Sequence, residues 1–256
     1  MRLIKGVWKI SIEEFLIYRL TSFFTFILAA VFFGVELVAG HVYFGATGNV
    51  GGWTETKYQL LIATVSSMVY LYNIFFIVGH ENMSEDILAG NLDYTLLRPV
   101  SSYWFTSMSR IDIPSVFNLA LSGAVIIVLL VRGQFDAIGT VLYFVAFLVG
   151  VVLFFLLNKL ILTCTFWLDG FTALGGIMED SIDFLSRPAA IFPKLIRGLF
   201  TVIIPILLIT NLPVEALQYS RTVSYWLVYA LVFEFSIYQL SKWFWRQGIK
   251  HYFSAN

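Results

Sequence analysis

Apolar residues gather into five stretches long enough to cross a bilayer as helices: 20–40, 60–79, 113–131, 138–158 and 223–240. A crossing needs about 20 predominantly apolar residues. A sixth stretch, 199–212, is shorter and interrupted by Pro205, with Asn211, Leu212 and Pro213 at its end. It reaches the required length if its helix starts near Lys194, with the basic side chains extending to the headgroups. The pattern predicts six spans. Ahead of the first, Ile4, Val7, Trp8, Ile12 and Phe15 fall on one helical face, and Lys5, Lys9 and Glu13 on the other. Residues 1–19 therefore read as an amphipathic helix lying in the membrane interface and leading into the first span. This segment lacks the short apolar core and small-residue cleavage site of a signal peptide.

Composition supports the same class. Hydrophobic residues are 59% of the 256 and charged residues 12%, about half the charged share of a soluble domain. Mean hydropathy is +0.83. The expectation is an all-α integral membrane protein forming a single domain over 1–256. Net charge is zero, which argues against a nucleic-acid partner. The lone Cys164 excludes an intrachain disulfide. With the N-terminus inside, Arg2, Lys5, Lys9, Arg19, Arg98, Arg110, Arg187, Lys194, Arg197, Lys242, Arg246 and Lys250 fall on the cytoplasmic side. Only Lys57, Arg132 and Arg221 fall outside. Twelve against three predicts that both termini are cytoplasmic, with inner loops at 80–110 and 168–197.

The pattern predicts no enzyme. Ser122 beside Gly123 lacks a histidine at the same depth, since His41, His80 and His251 lie at span ends or in the tail. Residues 45–52 are glycine-rich, but no Gly-Lys-Ser/Thr follows. No cofactor or metal site is expected. Three charges fall within spans, where each costs roughly 2.5–3.5 kcal/mol on insertion scales. Lys159 should snorkel at the inner interface. Glu36 lies near the outer end of its span. Glu234 is the deepest, and either lines a polar path or hydrogen-bonds a neighbouring helix.

The loop between the second and third spans carries the clearest local signals. Asn82 with Glu85 reads as a box-like cap for a short helix, Gly90 as its left-handed end, Asp93 as the cap of a second turn and Pro99 as its stop. The element would present Ile87, Leu88, Leu92, Leu96 and Leu97, and displayed apolar side chains need a partner.

With the entry helix and the span order, Gly90-x-Leu92-Asp93-x-x-Leu96-x-x-Pro99 resembles a bacterial permease of the ATP-binding-cassette type-2 exporter superfamily, in its six-span antibiotic and multidrug branch. The proline pattern Pro188, Pro193, Pro205 and Pro213 is similar to that around the family's fifth span. The resemblance implies that 81–99 is a coupling helix entering a cleft on a separate ATPase subunit. Its contact residues would be Glu81, Glu85, Ile87, Gly90, Leu92, Asp93, Leu96 and Pro99. It implies a connecting helix at 1–19, a second contact in 167–187 and a short re-entrant helix at 211–220. ATP would bind only the partner, in two copies, and a second permease copy or a related permease would complete the path in a bacterial plasma membrane. Glu36 and Glu234 are candidates for that path, and abundant aromatics favour a hydrophobic or amphipathic cargo such as a drug, peptide or lipid. A proton-coupled secondary transporter using Glu234 and a non-transporting membrane anchor are the alternatives.

Overall fold

A computed structural model describes residues 2–49, 51–168 and 186–252, with the single positions 177, 181 and 184. Among these, the regular elements are all helical, as backbone satisfaction in lipid requires. The entry helix α1 (Arg2–Ile17) is separated by Tyr18 from α2 (Arg19–Thr47). α3 (Glu55–Tyr72) continues through a π-helical turn, Asn73–Ile77, into α4 (Val78–Leu88). The short helices α5 (Asp93–Leu96) and α6 (Ser102–Phe105) precede α7 (Ile113–Gly133). α8 (Ala137–Thr163) ends in a 3-10 turn, Cys164–Phe166. Later come α9 (Lys194–Gly198), a π-helical turn Leu199–Ile203, α10 (Ile206–Ala216) and α11 (Arg221–His251).

Polar residues set where the long helices begin. The side chains of Thr54, Asp112, Asp136 and Ser220 accept first-turn N–H groups of α3, α7, α8 and α11. Five helices are long and apolar enough to cross a membrane: Arg19–Ala46, Glu55–Leu88, Ile113–Gly133, Ala137–Phe166 and Arg221–His251. The protein is a multi-pass membrane bundle. α3 and α8 form its centre, with 50% and 56% of their most apolar stretches buried, against 11% for α2 and for α11. α3 packs on α7, and α8 on α10 and α11.

The bundle has two ends. At the entry end, Ser11 Oγ accepts the Ile111 N–H at 2.9 Å and Glu14 pairs with Arg110 at 2.7 Å. α1 thus turns a partly polar face to the bundle, while Trp8 and Ile12 of the expected apolar face stay exposed. The α2–α3 loop marks the far end, where His41 meets Glu55 at 2.7 Å.

The stretch expected as a fifth span is bent by 91° between Lys194–Ile203 and Ile206–Ala216. Pro205 makes the break: it lacks an N–H and cannot continue the preceding helix. Asn211 and Pro213, expected at the helix end and in a re-entrant segment starting there, lie inside α10. α10 climbs α8 toward the far end. A Cβ on Gly150 would meet the Ile209 carbonyl at 2.7 Å, and one on Gly139 the Leu217 carbonyl at 2.5 Å, so these glycines let the backbones touch.

Of the loop expected at 168–197, residues 169–185 lie mostly outside the described residues. Residues 187–197 are described, and they lie at the far end. Asn211 Oδ1 accepts the Ala189 N–H at 2.8 Å and its Nδ2 donates to the Arg187 carbonyl at 3.3 Å, a Cβ on Gly51 would sit 3.1 Å from that of Ala190, and Arg187 shares a cleft with Tyr58. Trp167, by contrast, packs at a tilt against Phe244 and His251 at the entry end, with ring centroids 4.9 and 5.5 Å away. Trp167 and Arg187 therefore lie at opposite ends of the bundle. This corrects the placement of 187–197 on the side of the N-terminus. Moving Arg187, Lys194 and Arg197 leaves nine basic residues at the entry end against six at the far end, so the excess keeps its direction.

Candidate functional site

The segment between α3 and α7 folds against the entry ends of α8 and α11. It does not start where a cap at Asn82 would have placed it. The helix runs on through the π-helical turn, so Asn82 is interior and Glu81 and Glu85 are exposed on α4. π-turns of this kind recur at functional sites. α4 ends as expected at Gly90, whose φ is +71°. Its N–H reaches the Ile87 carbonyl at 3.3 Å, and the Asn91 N–H reaches that of Asp86 at 2.8 Å. These two bonds form a Schellman ending, which uses the left-handed freedom of glycine.

Asp93 is not a cap. It is the first residue of α5, whose N-cap position is Leu92, with no side-chain cap bond. Tyr252, just beyond α11, supplies the acceptor instead: its Oη takes the Leu92 N–H at 2.9 Å. The chain leaves α5 at Leu97, and Pro99 follows two residues later, where no helix can continue.

The face expected to enter a partner is largely internal. Leu92 is 0% exposed and Ile87 is buried, both packed with Met83, Tyr103, Leu162, Phe166 and Trp245, and Leu96 is half-buried against the same cluster. Periodicity correctly grouped these side chains, but α8 and α11 cover them. The apolar side chains left outside are Tyr94, 72% exposed, Leu97, 84% exposed, and Leu88.

Lys159 corrects a second expectation. It does not snorkel; it is fully buried. Its Nζ donates to Thr106 Oγ1 at 2.9 Å, touches Met83 Sδ at 2.8 Å, and lies over the rings of Trp245 at 4.4 Å and Tyr103 at 5.3 Å. Aromatic faces and a hydroxyl hold this cation. The same segment is tied to α11 by Tyr103 Oη with Ser241 Oγ at 3.0 Å and by Trp245 Nε1 donating to Ser102 Oγ at 3.1 Å. Nearby, His80 Nδ1 meets Tyr72 Oη at 2.7 Å, and Asn158 also donates to Tyr72 Oη. Nothing in the linear pattern joins these residues, which lie far apart in sequence and meet only through the packing of α8 and α11.

The other two intramembrane charges are separate from this cluster. α2 extends past the apolar run to Thr47, so Glu36 lies deeper than expected. It lines a far-end cleft of about 370 Å³ with Arg187, Tyr43 and Tyr58. Glu234 has one buried carboxylate oxygen without a hydrogen-bond partner among the described residues. Among the described residues, no cluster of His, Cys, Asp and Glu could hold a metal ion.

Residues 25–256 match the family described as ABC-2 family transporter protein. No curated protein and no solved structure matches the chain.

Proposed function

The chain belongs to the ABC-2 family of transporter proteins, and from that premise we propose that it is the permease half of an ATP-driven exporter whose ATP is hydrolysed by a separate subunit. Two ATPase copies and a second permease copy, identical or related, complete the machine in a bacterial plasma membrane, with the entry end cytoplasmic. The cargo is a hydrophobic or amphipathic compound of the drug, peptide or lipid class.

One observation carries the reading. The 80–107 segment presents Tyr94 and Leu97 outward at the entry end while Tyr252, Trp245 and Lys159 clamp its inner side to α8 and α11. An exposed apolar knob on a rigid base suits a cleft on another protein. Movement of that knob would reach α8 and α11 through buried contacts. The contact set drawn from sequence changes accordingly: Glu81, Glu85, Tyr94 and Leu97 form the docking face, Leu92, Ile87 and Leu96 its core, and Gly90, Asp93 and Pro99 its shape.

The far-end pair of bent helices is read as re-entrant, dipping from that surface to about mid-depth and returning along α8. Glu36 and Glu234 lie on α2 and α11, the two least buried helices, which a second copy or the cargo would cover. The test is co-purification with a candidate ATPase subunit from the same cell, followed by ATPase measurement across candidate cargos. Recovery of a transport-active permease without any ATPase would refute the proposal.

A further inference from the structure

At the entry end, a groove of about 440 Å³ separates the entry helix from the segment that follows α5. That volume falls within the roughly 300–1,000 Å³ of typical ligand pockets. Trp8 of α1 forms one wall, Phe75 in the π-helical turn the floor, and Trp104, Phe105 and Met108 the other wall. The lining is almost wholly apolar. Its one charged member, Arg110, is already paired with Glu14, so the interior can fix no polar ligand. Charge sits at the rim instead. The Arg98 guanidinium stacks over the Phe105 ring at 4.6 Å, is exposed, and has no carboxylate partner among the described residues.

We propose that this groove seats one acyl chain of an anionic phospholipid, with its phosphate on the Arg98 guanidinium. An apolar groove with one exposed planar cation stacked on its Phe105 wall suits a molecule with an apolar tail and a single anionic head. The location suits it too. α1 leaves Ile12 and Leu16 exposed as an interfacial helix does. Basic residues at this end outnumber those at the far end by nine to six, so the leaflet here is the one whose anionic lipids basic side chains attract. The occupant bridges α1 and the 100–111 segment without relying on the ATPase reading above.

The test uses the full chain in phosphatidylcholine nanodiscs containing a small fraction of phosphatidylglycerol with a photoactivatable group on its acyl chain. After irradiation, adducts should concentrate on peptides holding Trp8 and 100–111. Unlabelled phosphatidylglycerol should reduce them several-fold, and added phosphatidylcholine should not. Arg98→Gln, at an exposed position, should cut labelling about tenfold. Met108→Trp should remove it by filling the groove, while Met108→Leu keeps it. Adducts spread evenly over lipid-facing sites such as Phe24 and Val228 would overturn the proposal. So would equal competition by phosphatidylcholine, or unchanged labelling of Arg98→Gln.

Discussion

Lys159 is a cation enclosed by aromatic faces, a thioether and one hydroxyl, with no acid among its contacts. Replacing a buried charge by an apolar group of similar length is often neutral or stabilising, whereas removing the stem leaves a cavity. Lys159→Met is therefore expected to insert and fold with unchanged or raised thermal stability. Lys159→Ala should lose about 2–5 kcal/mol. Thermal unfolding of the two variants in detergent decides this; a stable Ala and an unstable Met variant would show that the charge itself holds the cluster. Both changes remove the bond to Thr106. Glu234 presents the opposite situation, a buried carboxylate oxygen left unsatisfied among the described residues. If a second copy or the cargo satisfies it, Glu234→Gln should keep more than half of transport, because the amide retains a hydrogen-bonding group. Glu234→Leu should lose transport at normal membrane levels. Equal activity of the Leu variant would mean that the oxygen is simply protonated and idle.

Leu92 and Leu97 separate core from surface within one short element. Leu92→Glu would bury an unpaired carboxylate among Met83, Tyr103 and Trp245, so it should lower the membrane level of the protein itself. Leu97→Glu and Tyr94→Ala, at exposed positions, should leave folding intact and abolish ATPase pull-down. Gly90→Val should cost about 1–2 kcal/mol from the positive φ, and Tyr252→Phe about 1 kcal/mol from the lost cap. Pull-down of the ATPase beside a folded-protein assay checks the set; wild-type recovery with Leu97→Glu would remove the docking face. Much of this element was legible in sequence, since Gly90 and Pro99 have the chemistry that ends helices. The orientation of its leucines was not. Helical spacing reports which side chains share a face, and says nothing of whether a partner protein or the chain's own α8 and α11 covers it. Asn82 misled for a related reason: it has cap chemistry, but no breaker precedes it and α3 runs straight on. Tyr252 was invisible as a cap because it lies 160 positions from its acceptor bond.

At the scale of the whole molecule, hydropathy located five helices long enough to cross a membrane, and its sixth stretch is a pair of helices bent by 91°. Residues 206–212 are apolar because α10 is buried against α8, and burial inside protein produces the same hydropathy as the lipid contact of exposed Leu199, Val202 and Ile203. The charge rule then assigned Arg187, Lys194 and Arg197 to the wrong end, since each depends on where the preceding crossing is placed. The structure brings Ala189 to Asn211 and Lys57 to Gln218, at 3.0 Å for the latter pair, so both sides of the bent segment sit with the α2–α3 loop. A direct consequence concerns accessibility. In a background lacking Cys164, Ile191→Cys, 48% exposed at the far end, should react with an impermeant thiol reagent from the same side as a cysteine at Tyr219. Tyr94→Cys should react only from the opposite side. Ala189 and Gln218 both sit with the α2–α3 loop, so Ile191 and Tyr219 share one end of the bundle, while Tyr94 lies at the other with Tyr252. Labelling of Ile191→Cys from the Tyr94 side would return 187–197 to the entry end. It would also break the contacts of Ala189 and Arg187 with Asn211, on which the far-end cleft around Glu36 is built.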